Sequence, residues 1–276
     1  MNVRTDIAST TAEMAPRATG IKIYAYYCGG EDADMAAFDP FDPAVGSIIS
    51  IPWFFYLIEH PRGYVLFDTG THPAVAEDPR GRLGAVTDAW TITMKPGEDA
   101  VSLLRAAGIN PTDVRHVIQS HLHYDHAGGV SFFKSAEVYV QRTELPFAYW
   151  PPIYQSGAYV RDDFDHDVNW REIEGEHDLF GDGTLVMFPT PGHTPGHQSL
   201  IVQLDSGPVI LLSDATYLVS KMRERRLPSV LWSPDAMVAT WNYLERLEQR
   251  LGARLIATHE LDYRKSVRLA PNEWYE

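Results

Sequence analysis

The chain has 276 residues, enough for one large domain or two small ones, and length alone does not choose between them. Apolar residues make up 45% of it, so a core can form without disulfides; the single cysteine, Cys28, excludes an intramolecular disulfide and any cysteine-based zinc cluster, and reads as a small buried apolar residue. A formal net charge of −14 argues against nucleic acid or an anionic membrane surface as a partner.

The first twenty residues are polar, with Arg4, Asp6, Glu13 and Arg17, and lack the apolar stretch of a secretory signal. No window approaches the roughly eighteen apolar residues of a membrane span. The expectation is a cytoplasmic protein with an N-terminal arm over 1–20 ahead of a single domain over 21–276. Residues 21–27 read as a strand, and 48–59 with 64–67 as a hairpin turning at Pro61-Arg62-Gly63. A helix over 97–107 stops at Gly108, and short strands follow at 116–120 and 137–140. Residues 144–170 break the rhythm: they are rich in proline and aromatics and have no period, as in an insertion of loops and short helices that covers a binding region. Strands resume at 184–188, 199–204 and 208–212. The basic run Lys221, Arg223, Arg225 and Arg226 reads as a solvated loop or helix end. A helix over 234–251 has Ser233 to cap it, Pro234 in its first turn and Gly252 to end it, with Met237, Trp241, Leu244, Leu247 and Leu251 on a core-facing stripe. A last strand spans 255–258. The strands are too many and too closely spaced for a parallel βαβ barrel, and two packed sheets with helices outside fit better.

The densest chemistry lies in His121-Leu122-His123-Tyr124-Asp125-His126. Imidazole nitrogens and carboxylate oxygens are ligands for divalent metals such as zinc, and four fall within six residues of a chain holding 11 histidines. On an extended chain His121 and His123 point the same way, and a turn near Tyr124 swings Asp125 and His126 toward a second point. A solvated polar loop is the plain alternative. Three further candidates each follow an apolar strand: His193 in Thr190-Pro191-Gly192-His193, Asp214 in Ser213-Asp214, and His259 after residues 255–258. Ligands at a common sheet edge converge, although strand direction is not visible in the sequence.

On these residues the chain resembles the metallo-β-lactamase superfamily over nearly all of 21–276. The resemblance implies an α+β fold, an αβ/βα sandwich of two mixed β-sheets with outer helices. It implies two divalent metal ions: His121, His123 and His193 hold one, Asp125, His126 and His259 the other, and Asp214 bridges them. Zinc suits these ligands, and iron, manganese or cobalt would also bind. Asp68 in Phe67-Asp68-Thr69-Gly70 matches a position that supports a metal-binding histidine from behind. His197 is left out of the ligand set as a loop-structuring residue, and His60, His72, His116, His166 and His177 read as surface or structural.

Two ions a few ångströms apart share a water and lower its pKa toward about 7. Tyr217, three positions after Asp214, reads as a packed aromatic or as a hydrogen-bond donor to a developing oxyanion. That spacing, the loop-rich insertion and the TPGHTPGHQSL segment are similar to the quorum-quenching N-acyl-homoserine lactonases. The likeness implies opening of a small-molecule lactone ring by a metal-bridging hydroxide, with Tyr217 stabilising the oxyanion and Asp125 carrying a proton to the leaving oxygen as general acid. Trp53, Phe54, Phe55, Phe147, Trp150, Ile153 and Tyr154 are candidates for an apolar acyl wall, with ordinary core an equal reading for each. The rivals are a lactonase for another ring such as 4-pyridoxolactone, a glyoxalase-II-like thioesterase, which would want a basic pocket, and a non-catalytic metal-binding sensor, whose signature would be a lost ligand. Acyl-chain length and oligomeric state are not legible.

Overall fold

A computed structural model describes residues 20–276, so all but the last residue of the arm expected over 1–20 lies outside the described residues. Twelve strands run in chain order: β1 (Lys22–Asp34), β2 (Ile48–His60), β3 (Gly63–Phe67), β4 (Thr91–Ile92), β5 (Val114–Ile118), β6 (Glu137–Gln141), β7 (Trp170–Ile173), β8 (His177–Asp178), β9 (Leu185–Pro189), β10 (Gln198–Leu204), β11 (Gly207–Ser213) and β12 (Arg254–Ala257). They form two mixed sheets, ordered β4-β1-β2-β3-β5-β6-β7 and β12-β11-β10-β9-β8. Within the first, β3, β5, β6 and β7 are parallel neighbours. In the second, β10 is antiparallel to both β9 and β11, and β11 is parallel to β12, so β9, β11 and β12 share a direction.

The sheets pack face to face, and a second apolar layer covers each outer face. Phe54, Tyr56, Ile58 and Phe67 of the seven-stranded sheet meet Met187, Leu200, Val202 and Leu211 of the other in the inter-sheet core. Trp53, Phe55 and Leu57 point outward and are covered with Leu104 of the helix Ala100–Ala106. The helix Pro234–Leu251 lays Met237, Trp241, Leu244 and Leu247 on Phe188, Ile210 and Leu212. This is the αβ/βα sandwich that the resemblance implies. Strand β2 is buried on both faces, which is why it reads as a continuous apolar run rather than an alternation.

The elements differ from the sequence reading mainly at their ends. The long helix spans Pro234–Leu251 as predicted, with the Ser233 hydroxyl accepting the Ala236 N–H and Gly252 left-handed behind it. The helix expected over 97–107 begins only at Ala100, because the Asp99 carboxylate accepts the Ser102 N–H at 2.9 Å and caps it there. Strand β1 outlasts its apolar pattern: a bulge between Tyr27 and Gly30 restores its pairing with β2, and the added half carries Glu31 inward. Residues 144–170 resolve into helices Glu144–Tyr149 and Arg161–Phe164 with a 3-10 turn, Ser156–Ala158, between them. The basic run is paired rather than solvated. Lys221 reaches Asp39 and Asp42, Arg226 reaches Asp39, and Arg223 and Arg225 pair with Glu248 and Glu245 of the long helix.

Candidate metal centre

Each predicted ligand leaves the C-terminal end of a strand, and strand direction brings those ends together. His121 and His123 follow β5, His123 on extended backbone, and the short helix Tyr124–Ala127 then turns Asp125 and His126 inward. That helix packs close because Gly128 follows it: a Cβ there would lie 2.3 Å from the backbone nitrogen of His72. His193 follows β9, Asp214 follows β11 and His259 follows β12. Gly192, with φ +151°, lets the His193 loop press against the long helix, where a Cβ would meet Met237 Cα at 2.6 Å.

All seven side chains are buried, and their ligand atoms fall into three overlapping groups: His121, His123 and His193; His121, His126 and Asp214; Asp125, His126 and His259. Asp214 divides its oxygens between the two sides. Oδ2 lies 3.3 Å from His193 Nε2 and 3.9 Å from His121 Nε2, while Oδ1 lies 3.1 Å from His259 Nε2 and 3.4 Å from His126 Nε2. Asp125 Oδ2 is 3.2 Å from His126 Nε2 and 3.7 Å from His259 Nε2. On the opposite side, His193 Nε2 and His123 Nδ1 are 2.9 Å apart.

The outward nitrogens of four of the five rings, all but His123, are held by acceptors, which assigns their protons. His126 Nδ1–H donates to Asp68 at 2.9 Å, His259 Nδ1–H to the Pro52 carbonyl at 2.8 Å, and His193 Nδ1–H to the Val230 carbonyl at 3.2 Å. His121 Nδ1–H donates to the Ser120 hydroxyl at 3.0 Å, which donates in turn to Asp68 at 2.9 Å. Their Nε2 lone pairs are thereby turned inward. His121 Nε2, His126 Nε2 and Asp214 Oδ1 are buried without any hydrogen-bond partner. Buried acceptors gathered around one point, with no donor among them, are costly unless a cation completes them, so this donor set fits divalent metal.

The electrostatics agree. Burial lowers the pKa of His121, His123 and His193, which keeps them neutral and able to ligate. Burial also opposes charge on His126 and His259, but the carboxylates of Asp125 and Asp214 outweigh it and raise both, so this side of the site favours positive charge. Asp68 and Ser213 take left-handed backbone, φ +62° and +48°, where non-glycine residues are strained. The Ser213 hydroxyl lies 2.8 Å from that of Ser120 and 3.2 Å from Asp68, so the strained turns meet in one buried network behind the histidines.

His197 joins none of the groups. Its Nε2 accepts the backbone N–H of Asp214 at 3.1 Å and its Nδ1 is 2.8 Å from the Thr190 hydroxyl, so it fixes the Asp214 turn. The Tyr217 hydroxyl lies 3.2 Å from His193 Nδ1 and 3.4 Å from the Val230 carbonyl. Burial, and then the nearby carboxylates of Asp214 and Asp125, raise its pKa well above the usual phenol value, so it stays a donor.

Four of the seven, His123, Asp125, Asp214 and His259, floor a cavity of about 170 Å³. Of the seven residues proposed for its apolar wall, Tyr154 alone lines it. Trp53, Phe54 and Phe55 are fully buried core, and Trp150 and Ile153 are exposed. The wall is instead Phe38, Ile51, Val86, Trp90 and Val230, with Glu31 and Gln155 as polar members. Sequence reading also missed Glu144. Its buried carboxylate accepts from Leu122 N–H at 3.1 Å, Tyr159 O–H at 3.0 Å, Thr194 O–H at 2.7 Å and Gly196 N–H at 3.2 Å. It pins the first histidine loop, the insertion and the His193 loop to one another. A lone glutamate at a helix start carries no sequence signal for such a role.

The profile of the Metallo-beta-lactamase superfamily matches residues 54–259. The N-acyl homoserine lactonase AttM of Azorhizobium caulinodans is 40% identical over 232 residues, covering 82% of this chain and 88% of that protein. AttM of Agrobacterium fabrum is 37% identical over 236 residues, covering 83% and 89%. Among solved structures, an N-acyl homoserine lactone hydrolase with the product N-hexanoyl-L-homoserine bound at its catalytic metal centre superposes with a TM-score of 0.83. It is 26% identical and covers 92% of this chain and 98% of its own.

Proposed function

The chain belongs to the metallo-β-lactamase superfamily, and from that premise we propose that it is a metal-dependent hydrolase that opens the ring of N-acyl homoserine lactones. The carrying observation is Asp214, whose two oxygens face two separate groups of imidazoles beneath an apolar cavity bordered by the Tyr217 hydroxyl. We assign His121, His123 and His193 to one divalent ion, Asp125, His126 and His259 to a second, and Asp214 to both, with zinc the metal that suits the set. Ions bound there supply Lewis acidity, polarising a carbonyl and lowering the pKa of a water toward about 7.

The chain's own residues do the rest. Phe38, Val86, Trp90 and Tyr154 shelter an acyl chain, and the lactone ring lies over the ligands. The Tyr217 phenol, kept protonated by its surroundings, donates to the oxygen that gains charge as the carbonyl becomes tetrahedral. Asp125, at the cavity floor, would take a proton from the attacking water and pass it to the departing ring oxygen. A thioesterase acting on an acidic conjugate is disfavoured, because neither lysine nor arginine lines the cavity among the described residues.

The test is acid release from short- and long-chain N-acyl homoserine lactones, with a plain lactone and a thioester alongside, on protein of measured metal content. Turnover of the homoserine lactones that disappears with chelation is expected. Turnover of the thioester alone would end the lactonase reading.

A further inference from the structure

Gln155 sits between the helices Glu144–Tyr149 and Arg161–Phe164, 2% exposed, in the wall of the cavity. Its Nε2 donates to the backbone carbonyl of His193 at 3.0 Å. That carbonyl can only accept, so the amide has one sensible orientation, and its other atom, Oε1, is left buried with no partner. A buried amide oxygen without a donor is costly, and each such group in a native fold calls for a reason.

The neighbouring cavity donors are committed elsewhere. The Tyr124 hydroxyl donates to Glu31, His259 Nδ1–H donates to the Pro52 carbonyl, and the Tyr217 hydroxyl, 3.4 Å from the Val230 carbonyl, is the donor assigned above to the oxyanion. A ligand entering the cavity can supply the donor that the protein does not. An N-acyl homoserine lactone has a single hydrogen-bond donor, its amide N–H, on the ring carbon next to the carbonyl that is attacked. Gln155 is tethered to the backbone of His193, itself one of the first histidine group, so an N–H held at Oε1 sits beside the reacting carbonyl.

We infer that Gln155 Oε1 accepts the amide N–H of the substrate, making Gln155 the residue that selects acylamino lactones over lactones lacking that N–H. The assignment rests on the lactone-opening reading above. A site built to receive a hydrogen bond rejects an analogue that cannot make it, because its own polar group is then left unpaired.

The test pairs N-hexanoyl homoserine lactone with its isostere in which CH₂ replaces the N–H. For the wild-type protein kcat/KM should favour the amide by about tenfold. In Gln155→Met that ratio should fall toward one, with metal content unchanged. Calorimetry with the ring-opened N-hexanoyl homoserine and its CH₂ counterpart should show the same preference in Kd, independent of turnover. Equal handling of the two lactones by the wild type, which needs no variant, overturns the assignment, as does a preference that survives in Gln155→Met. Turnover of neither lactone would remove the lactonase reading itself, a result distinct from turnover of both alike.

Discussion

At the floor of the cavity every histidine and aspartate leaves the C-terminal end of a strand, and most of the imidazoles have their outward nitrogen tied to a carbonyl or a buried oxygen. Along its wall, Phe38, Val86 and Trp90 come from 3-10 turns and loops, and Phe38 meets Trp90 edge to face. Phe38 also packs edge-on against Tyr217, with ring centroids 5.5 Å apart, and the next residue, Asp39, is gripped by Lys221 at 3.1 Å and Arg226 at 2.7 Å. The floor is therefore fixed by sheets and hydrogen bonds, the wall by side-chain packing and ion pairs near the surface. On the proposed function, chemistry and selectivity rest on largely separate supports, so substitutions in the wall should retune the substrate more than the reaction.

The sharpest way to break this contrast is at the floor. Asp214→Asn weakens the charge that faces both histidine groups, and should lower bound metal below two ions per chain and reduce kcat by more than the roughly 10–100-fold typical of supporting residues. Metal analysis beside the assay checks it, and full retention of both ions would refute the bridging role. Tyr217→Phe should cost about 100-fold in kcat, near the lower end for the loss of an oxyanion donor, with metal content unchanged. Unaltered turnover would reduce Tyr217 to a packing residue. Behind the floor, burial depresses His197 to about 3, far below the roughly 6.5 of free imidazole. The unfolded chain therefore binds the proton first as pH falls. The stability from keeping His197 neutral is complete above about 6.5 and is lost at up to ~1.4 kcal/mol per pH unit on the way down toward the folded value. Thermal melts between pH 6.5 and 5 should show a shallower pH slope in His197→Asn than in the wild type. The smallest effect belongs to the wall: Asp39→Asn loosens the clamp under Phe38, and should raise KM a few-fold and lower stability by about 1 kcal/mol or less, with kcat nearly constant. A collapse of kcat in that variant would erase the distinction between floor and wall.

The same contrast explains what the sequence disclosed. Histidine and aspartate are rare in the interior, so four of them in 121–126 stood out, and the strands before His193, Asp214 and His259 were readable from their apolar runs. Asp68 was found through its match to a family position, not through its spacing. The wall was hidden because aromatic residues serve core and cavity alike. Trp53-Phe54-Phe55 lies on a strand buried on both faces, and nothing local separates that from a pocket lining. Phe38 and Trp90 come from segments with no periodic pattern, and Phe38 meets Trp90 and Tyr217, beside the ion pairs of Asp39, only when distant parts of the chain come together. Glu144 and Gln155 carry no local mark at all, since what distinguishes them is which backbone atoms surround them.

The two sheets contribute unequal shares of one centre: His121, His123, Asp125 and His126 come from the seven-stranded sheet, and His193, Asp214 and His259 from the other. A cation bound between them acts as a cross-link across the sandwich, closing loops that span most of the chain. Its contribution to the folded state grows with the logarithm of free metal concentration, so the melting temperature of this protein is partly a property of the surrounding metal supply.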